Sequence, residues 1–442
     1  MTTSATEGSR TSPPGSGRAS GAASPPPTGG PAGNGRKATA KPAGGLRSKI
    51  PAAGLTEYWY PAIADRKVPR RKGVRRKLLG REIVFFRGKH GQVVALTNWC
   101  PHRNASLAQG SCLFSGTISC PYHGLTFDED GTAVAFLGEG ASSKFPGRPS
   151  SRARSYPTRT LKGLVFIWMG DGEPAPIEED VPPEFFDEAA LVLHSQQKWK
   201  ANWRPALENL QDSHAYFVHR NSLEVLSQDE FGLNLLLHMG PERPPTKVVN
   251  GRALVFENTR FFDFQDSQQE RKTKIEKPAF QESYAGLNGA KWPKTRTRLR
   301  LAQAMGFLRK HLRPKADWLV DDEEWSLGVH LPTTFRFDYQ THVYSRTVTP
   351  MDEEGSWVFY YNTSYPGSPW KRLYRRINYA VYYNWKQHYN FSGQDKRIVE
   401  GISYDEPQER FSSSDAFPLA FRRLVVTHAR RAPSDGDMKS DL

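Results

Sequence analysis

The chain has 442 residues, enough for two or three domains with a sizeable core, and no apolar run approaches the roughly 18 residues of a membrane span, so a membrane partner is not expected. A net charge of +15 suits nucleic acid, an anionic surface or an acidic protein. No nucleic-acid-binding module accompanies that charge, which leaves a small acidic electron carrier as the sharper reading. Three cysteines, Cys100, Cys112 and Cys120, are too few and too clustered for a disulfide framework, and imply a reducing, cytoplasmic setting and a metal site.

Residues 1–50 are Gly, Pro, Ser, Ala and Thr with scattered Arg and Lys, a single acid (Glu7) and no aromatic. Such a segment cannot bury enough surface to fold, and a disordered tail is expected. Its acid-poor, Ser- and Arg-containing character also fits a transit peptide, but its density of Gly and Pro favours a plain tail.

Folded sequence begins near Leu55. From there to 168, short β-type runs (Glu82 to Arg87, Val93 to Asn98, Thr117 to Cys120, Leu164 to Met169) alternate with turns containing Gly88, Gly110, Gly116 and Gly131, which predicts a small antiparallel β domain. A Pro- and acid-rich connector, GDGEPAPIEEDVPPEFFD, follows. The second domain, 190–430, opens with the stretch ANWRPALENLQDSHAYFVHR (201–220), which reads as helix. Strand-like segments come next (Ala253 to Phe264, His342 to Val348, Trp357 to Ser364), separated by a basic insertion at 265–315 that fits no element. From Trp370, the residues Leu373, Ile377, Val381, Trp385 and Tyr389 recur every four positions, predicting a helix packed on a sheet through that stripe. Residues 431–442 are a polar tail.

The chemistry concentrates in two places. In the β domain the sequence reads CPHRNASL, then CPYHGLTFD, with seventeen residues between His102 and Cys120. Each half, Cys100-x-His102 and Cys120-x2-His123, mixes one thiol with one imidazole, whereas a zinc finger pairs like with like. Two such loops suit a two-iron cluster in which one iron takes two thiolates and the other two imidazoles. In the second domain, His214 and His219 stand five residues apart. On a straight helix that step turns about 140°, so joint metal binding requires a helix end or a distortion. Two imidazoles plus a distant carboxylate suit non-haem Fe(II) working on O2. Asp395, in FSGQDKRIVEG, is the best carboxylate: on a helix it projects with Phe391, Ile398 and Val399 from an apolar face, where an unpaired acid is costly unless a cation meets it. Glu400, Asp405 and Glu406 are its rivals.

On the strength of CPHRNASL and CPYHGLTFD, residues 55–168 resemble a Rieske [2Fe-2S] domain. With EYWYPAI, KGLVFIWMGDGEPAP and ANWRPALENLQDSH, the chain from about 55 to 430 resembles the terminal oxygenase (α subunit) of Rieske non-haem iron oxygenases, most closely the carbazole-type homotrimeric branch. The resemblance implies an α+β fold: a small antiparallel β Rieske domain, plus a larger catalytic domain with an antiparallel sheet covered by helices. High-potential Rieske proteins carry two further cysteines at the positions of Ala105 and Tyr122, so the lower-potential oxygenase type is implied. Cys112 fits no ligand slot. Carried over by position, Cys100, His102, Cys120 and His123 hold the cluster, while His214, His219 and Asp395 hold a mononuclear Fe(II). Glu208 and Asn209 match the acid and amide that precede the motif, and His388 matches no ligand.

The family places an Asp three positions before the first iron histidine, bridging to a Rieske histidine of the next subunit. Here Gln211 stands there and Asp212 is one residue later; either Asp212 bridges through a distorted helix, which we favour, or the bridge is altered. The function implied is oxidation of an apolar or aromatic small molecule with O2 and electrons from NAD(P)H, delivered by a ferredoxin or flavin reductase to a homotrimer. The basic block Arg70 to Lys77 is the candidate docking surface. An aromatic-rich second half (Phe335, Phe337, Tyr339, Tyr360, Tyr361, Tyr382, Tyr383) is compatible with such a substrate. A Rieske electron carrier without a second iron, or a zinc-stabilised binding protein, are the competing readings.

Overall fold

A computed structural model describes residues 49–211, 218–219, 245–257, 322–339, 342–403, 409–412 and 415–430. Residues 1–48 and 431–442, the insertion at 265–315, Asp212, His214, Asp405 and Glu406 lie outside the described residues, and the expected disordered tail ends before Ile50, which is buried in the core.

The first part is built from ten short strands: β1 (Trp59–Ala64), β2 (Val74–Leu78), β3 (Arg81–Arg87), β4 (Val93–Thr97), β5 (Ile118–Ser119), β6 (Leu125–Phe127), β7 (Ala133–Phe136), β8 (Ser155–Tyr156), β9 (Thr158–Leu161) and β10 (Leu164–Trp168). They pair as three antiparallel sheets ordered β2-β3-β4-β8, β5-β6-β7 and β1-β10-β9. The continuous apolar runs become strands because both of their faces are buried. On β3, Ile83 and Phe85 enter the large core, while Val84 and Phe86 enter the core that holds Cys100 and Cys120. On β10, Val165 and Ile167 join the large core, and Leu164, Phe166 and Trp168 a third one. The two-residue period of a strand thus ties separate cores together. The tight turn from β2 to β3 uses Leu79 and Gly80, both at positive φ (48° and 77°), the backbone pattern that matches strand twist.

The second part is a seven-stranded antiparallel sheet made of β11 (Leu191–Trp199), β12 (Thr246–Val249), β13 (Ala253–Phe256), β14 (Gly328–His330), β15 (Thr334–Tyr339), β16 (His342–Pro350) and β17 (Ser356–Ser364), in the order β11-β17-β16-β15-β14-β13-β12. Helix α1 (Trp203–Glu208) follows β11; Asn202 caps it, its side chain accepting the Arg204 N–H at 3.0 Å, and Pro205 sits in the first turn, where it displaces no helical hydrogen bond. The stretch expected to be helical, 201–220, is thus helical at Trp203–Glu208, turns at 209–211 and is helical again at 218–219. After β17 come α2 (Pro369–Asn378), a π-helical segment (Tyr379–Phe391), α3 (Ser392–Val399) and, last, α4 (Ala416–His428). The large core is shared: Tyr60, Ile63 and Phe85 of the first part pack with Trp199, Trp203, Val348 and Tyr360 of the second. On β15, Arg336 makes a buried ion pair with Glu184 of the connector, with Nη1 2.9 Å from Oε2.

The stripe expected to bury α2 faces the other way. Leu373, Ile377, Trp385 and Tyr389 are exposed, Trp370 is 80% exposed and Val381 77%. The buried face carries Tyr379, Tyr383, Lys386, Gln387 and His388. Tyr383 and His388 find partners on the sheet: the Tyr383 hydroxyl lies 2.6 Å from His342 Nε2, His388 Nδ1 2.7 Å from the Ser195 hydroxyl, and Gln197 Nε2 donates to the His388 carbonyl at 2.6 Å. Periodicity marks the faces of a helix, but hydrogen bonding decided which face is inside.

Two buried histidines give the fold a predictable response to acid. Burial pushes His330 and His388 down to about 3. The unfolded chain, with ordinary imidazoles near 6.5, binds more protons than the folded one at mildly acid pH, so stability falls as pH drops from about 6.5. Each such histidine should cost about 2 kcal/mol at pH 5. Unfolding followed at pH 7 and pH 5 should show this loss, and His330→Gln should shrink it by about 2 kcal/mol; an unchanged pH dependence would exonerate His330.

Candidate metal centres

The two cysteine-histidine loops adopt one conformation twice. Cys100 N–H donates to the Ala105 carbonyl (2.9 Å) and Asn104 N–H to the Cys100 carbonyl (2.8 Å); Cys120 N–H donates to Leu125 (2.8 Å) and Gly124 N–H to Cys120 (3.0 Å). Four residues after each cysteine the backbone turns left-handed, with φ of 53° at Asn104 and 72° at Gly124, and Asn and Gly are the residues that tolerate this. At Gly124 a side chain would also collide with Leu137, whose Cβ would lie 2.7 Å away.

Both cysteines are buried and both histidines half-buried. The Cys100 thiol donates to Cys120, pulling Cys120 down to about 6, helped by the backbone N–H groups of Tyr122 and His123 and opposed by burial; Cys100, the donor, is pushed up. The imidazoles of His102 and His123 lie together on the outer side, ring centroids 4.8 Å apart, walled by Phe136 and Phe145. Tyr122, 59% exposed, stacks on His123 at 3.8 Å. Two convergent thiols inside and two imidazoles outside, one of each from either loop, fit a [2Fe-2S] cluster with mixed ligation. Cys112 is half-buried and apart from this set, its thiol raised to about 11 by burial.

The second site joins segments 175 residues apart. His219 Nε2 lies 2.8 Å from Asp395 Oδ1, both side chains buried. The His219 ring is fixed by stacking on Phe391 (centroids 3.6 Å) and by Nδ1, 3.3 Å from Gln394 Oε1. An imidazole and a carboxylate this close in a dry site share a proton or a cation, and the tautomer with Nδ1–H donating to that amide oxygen presents the Nε2 lone pair to a cation. Their chemistry fits a divalent metal. The third candidate ligand, His214, lies outside the described residues.

Residues 58–146 match the family described as Rieske [2Fe-2S] domain, and 168–282 that described as homotrimeric ring hydroxylase. Over those residues the chain carries a Rieske domain and a homotrimeric ring hydroxylase domain. It is 36% identical over 186 residues to the terminal oxygenase component of carbazole 1,9a-dioxygenase from Sphingomonas sp, an alignment covering 42% of this chain and 47% of that protein. It is 32% identical to the oxygenase component of dicamba O-demethylase from Stenotrophomonas maltophilia, covering 44% and 56%. The chain thus spans about half the length of the curated relatives it matches. The fold is that of the terminal oxygenase of carbazole 1,9a-dioxygenase from Novosphingobium, with a TM-score of 0.64 at 22% identity over 88% of this chain and 96% of the other.

The residues before the second site are tied into its frame. Glu208 takes both prongs of Arg422 at 2.6 Å, and Arg422 also holds Glu409. Gln211 is fully buried, and neither of its amide atoms has a hydrogen-bond partner. Glu400, a rival for Asp395, instead accepts the Lys200 N–H at 2.7 Å. The basic block is half used up by the fold: Arg75 grips Glu82 (2.6 and 2.7 Å), Arg76 covers the Trp357 ring (3.9 Å) and Lys77 pairs with Asp352 (2.9 Å). Arg70, Arg71 and Lys72 remain exposed, and the Arg71 carbonyl accepts Cys112 N–H at 3.1 Å, which anchors this turn on the Rieske domain. Sequence reasoning missed Arg346, a buried cation on β16 beside Asp395, because a lone arginine in a strand carries no motif.

Proposed function

We propose that the chain is the terminal oxygenase component of a Rieske non-haem iron system. It takes electrons that originate in NAD(P)H from a ferredoxin or flavin reductase, and oxidises an apolar or aromatic small molecule with O2 in the cytoplasm. Cys100, His102, Cys120 and His123 hold the [2Fe-2S] cluster; His214, His219 and Asp395 hold mononuclear Fe(II). The observation that carries this reading is the buried His219–Asp395 contact at 2.8 Å beside a separate, cluster-competent pair of loops. An electron carrier or a zinc-binding module has no use for it.

When bound, the cluster supplies single electrons and the mononuclear iron activates O2. The chain's own part is positional. Phe391 and Gln394 set the His219 ring so that Nε2 points at Asp395, and burial keeps bulk water from the pair. The outward imidazoles of His102 and His123, with Tyr122 stacked on one, form the face from which electrons leave or enter. In a homotrimer, as the matched family's description has it, Asp212 would link that face to the second site of the next subunit. The curated relatives act on carbazole and on dicamba, which favours an aromatic substrate.

Metal analysis with EPR tests the reading: about three irons and two sulfides per chain with a Rieske signal are expected, whereas about two irons, or zinc, would refute it. Docking has its own test. Reversing Arg70, Arg71 and Lys72 to Glu should raise the ferredoxin concentration needed for half-maximal turnover about tenfold and flatten its salt dependence. Solved relatives include an oxygenase–ferredoxin complex, which makes this a direct measurement. An unchanged ferredoxin dependence would remove the basic turn from the docking surface.

A further inference from the structure

Asp395 presents its two oxygens to different partners. Oδ1 lies 2.8 Å from His219 Nε2, and Oδ2 lies 3.7 Å from Nη1 of Arg346. Arg346 is fully buried, 0% exposed, in the middle of the seven-stranded sheet. Its guanidinium is held from several sides: Nη2 donates to the Ala206 carbonyl at 2.7 Å, Nη1 reaches Asn209 Oδ1 at 3.4 Å, and the plane covers the Trp199 ring at 4.3 Å. Ala206 lies in α1 and Asn209 at its end, the segment leading to His214 and His219, while Asp395 lies in α3. One side chain therefore joins the sheet to both segments that carry the proposed iron ligands.

We propose that Arg346 is a positioning residue of the mononuclear site, its fixed charge 3.7 Å from Oδ2 holding the Asp395 carboxylate with Oδ1 turned to His219. This rests on the iron site proposed above. A carboxylate without that ion pair could swing away from His219. A planar guanidinium, fixed on a carbonyl, an amide and a ring, prevents that swing, and a flexible ammonium does not. Partners of this kind orient metal ligands, and their loss commonly weakens metal binding 10- to 100-fold.

The test uses the full-length holoprotein. Arg346→Met and Arg346→Lys are stripped of mononuclear iron by a chelator, with the Rieske EPR signal followed as a control, and Fe(II) is titrated back. Both variants should bind Fe(II) about 10- to 100-fold more weakly than wild type, with an altered EPR signal when nitric oxide is added to the ferrous site, while the Rieske signal stays near wild type and the thermal midpoint of Arg346→Lys, which keeps the buried charge, falls less than that of Arg346→Met. Fe(II) binding within about twofold of wild type and an unchanged nitric-oxide signal in either variant would overturn the proposal. So would loss of the Rieske signal and of the thermal midpoint in step with the iron in both variants, which would make Arg346 a general strut. If the wild type itself holds only two irons, the iron-site reading fails first and this inference with it.

Discussion

Asp395→Asn is expected to lower iron from about three to about two per chain and to cut product formation at least about 100-fold, with the Rieske EPR signal intact. Asn keeps the shape of the side chain but removes the charge that a divalent ion requires beside neutral imidazoles. It also leaves the buried Arg346 without its carboxylate, a change that in dry protein costs about 3–5 kcal/mol, so the thermal midpoint should fall as well. Glu400→Gln is the matched control: Glu400 is half-buried, accepts the Lys200 N–H and touches Lys396, and the variant should keep its iron. Iron counts by mass spectrometry, with turnover measured on the same preparations, decide the matter. Full iron in Asp395→Asn would eliminate Asp395 as a ligand and return the search to Asp405 and Glu406.

Asp212→Asn should do the opposite: keep both metal centres filled and reduce turnover by about 100-fold or more, because a carboxylate between two centres can take and release a proton as electrons move and an amide cannot. Gln211 occupies the position where the family resemblance places the bridging acid, yet it is fully buried within its own chain, with neither amide atom hydrogen-bonded among the described residues. It is therefore a poor candidate to reach a neighbouring subunit, and the acid beside it is the better one. Gln211→Glu should not rescue Asp212→Asn. Stopped-flow reduction of the cluster by ferredoxin should be unchanged in Asp212→Asn, and steady-state product formation should be lost. A variant with full activity would show that Asp212 is not the bridge.

Much of the fold could be read from the chain because the signals were local. Apolar runs such as REIVFFR and LVFIW become strands buried on both faces, and the Cys-x-His and Cys-x2-His spacings place one thiol and one imidazole in each of two loops whose backbones repeat. Asp395 was identifiable because an acid on the apolar side of a helix needs a cation, and the structure puts it against His219. The segment around His214 was harder. Its helical composition suggested one long helix, but α1 stops at Glu208, since the Arg422 and Arg346 contacts hold Glu208 and Asn209 to the sheet side and to α4.

By itself, the sequence determined what depends on neighbours along the chain: strand periodicity, turn residues and the spacing of the candidate ligands. Tertiary structure decided what depends on groups far apart in it. Leu373, Val381 and Trp385 mark a helical face as clearly as any pattern could, yet that face is outside, because Tyr383 and His388 opposite it meet His342, Ser195 and Gln197. Arg75, Arg76 and Lys77 read as free charge until Glu82, Trp357 and Asp352 are seen to take them. Arg346 gains its meaning only where β16, α1 and α3 meet, because a buried charge is defined by the partners that make its burial tolerable.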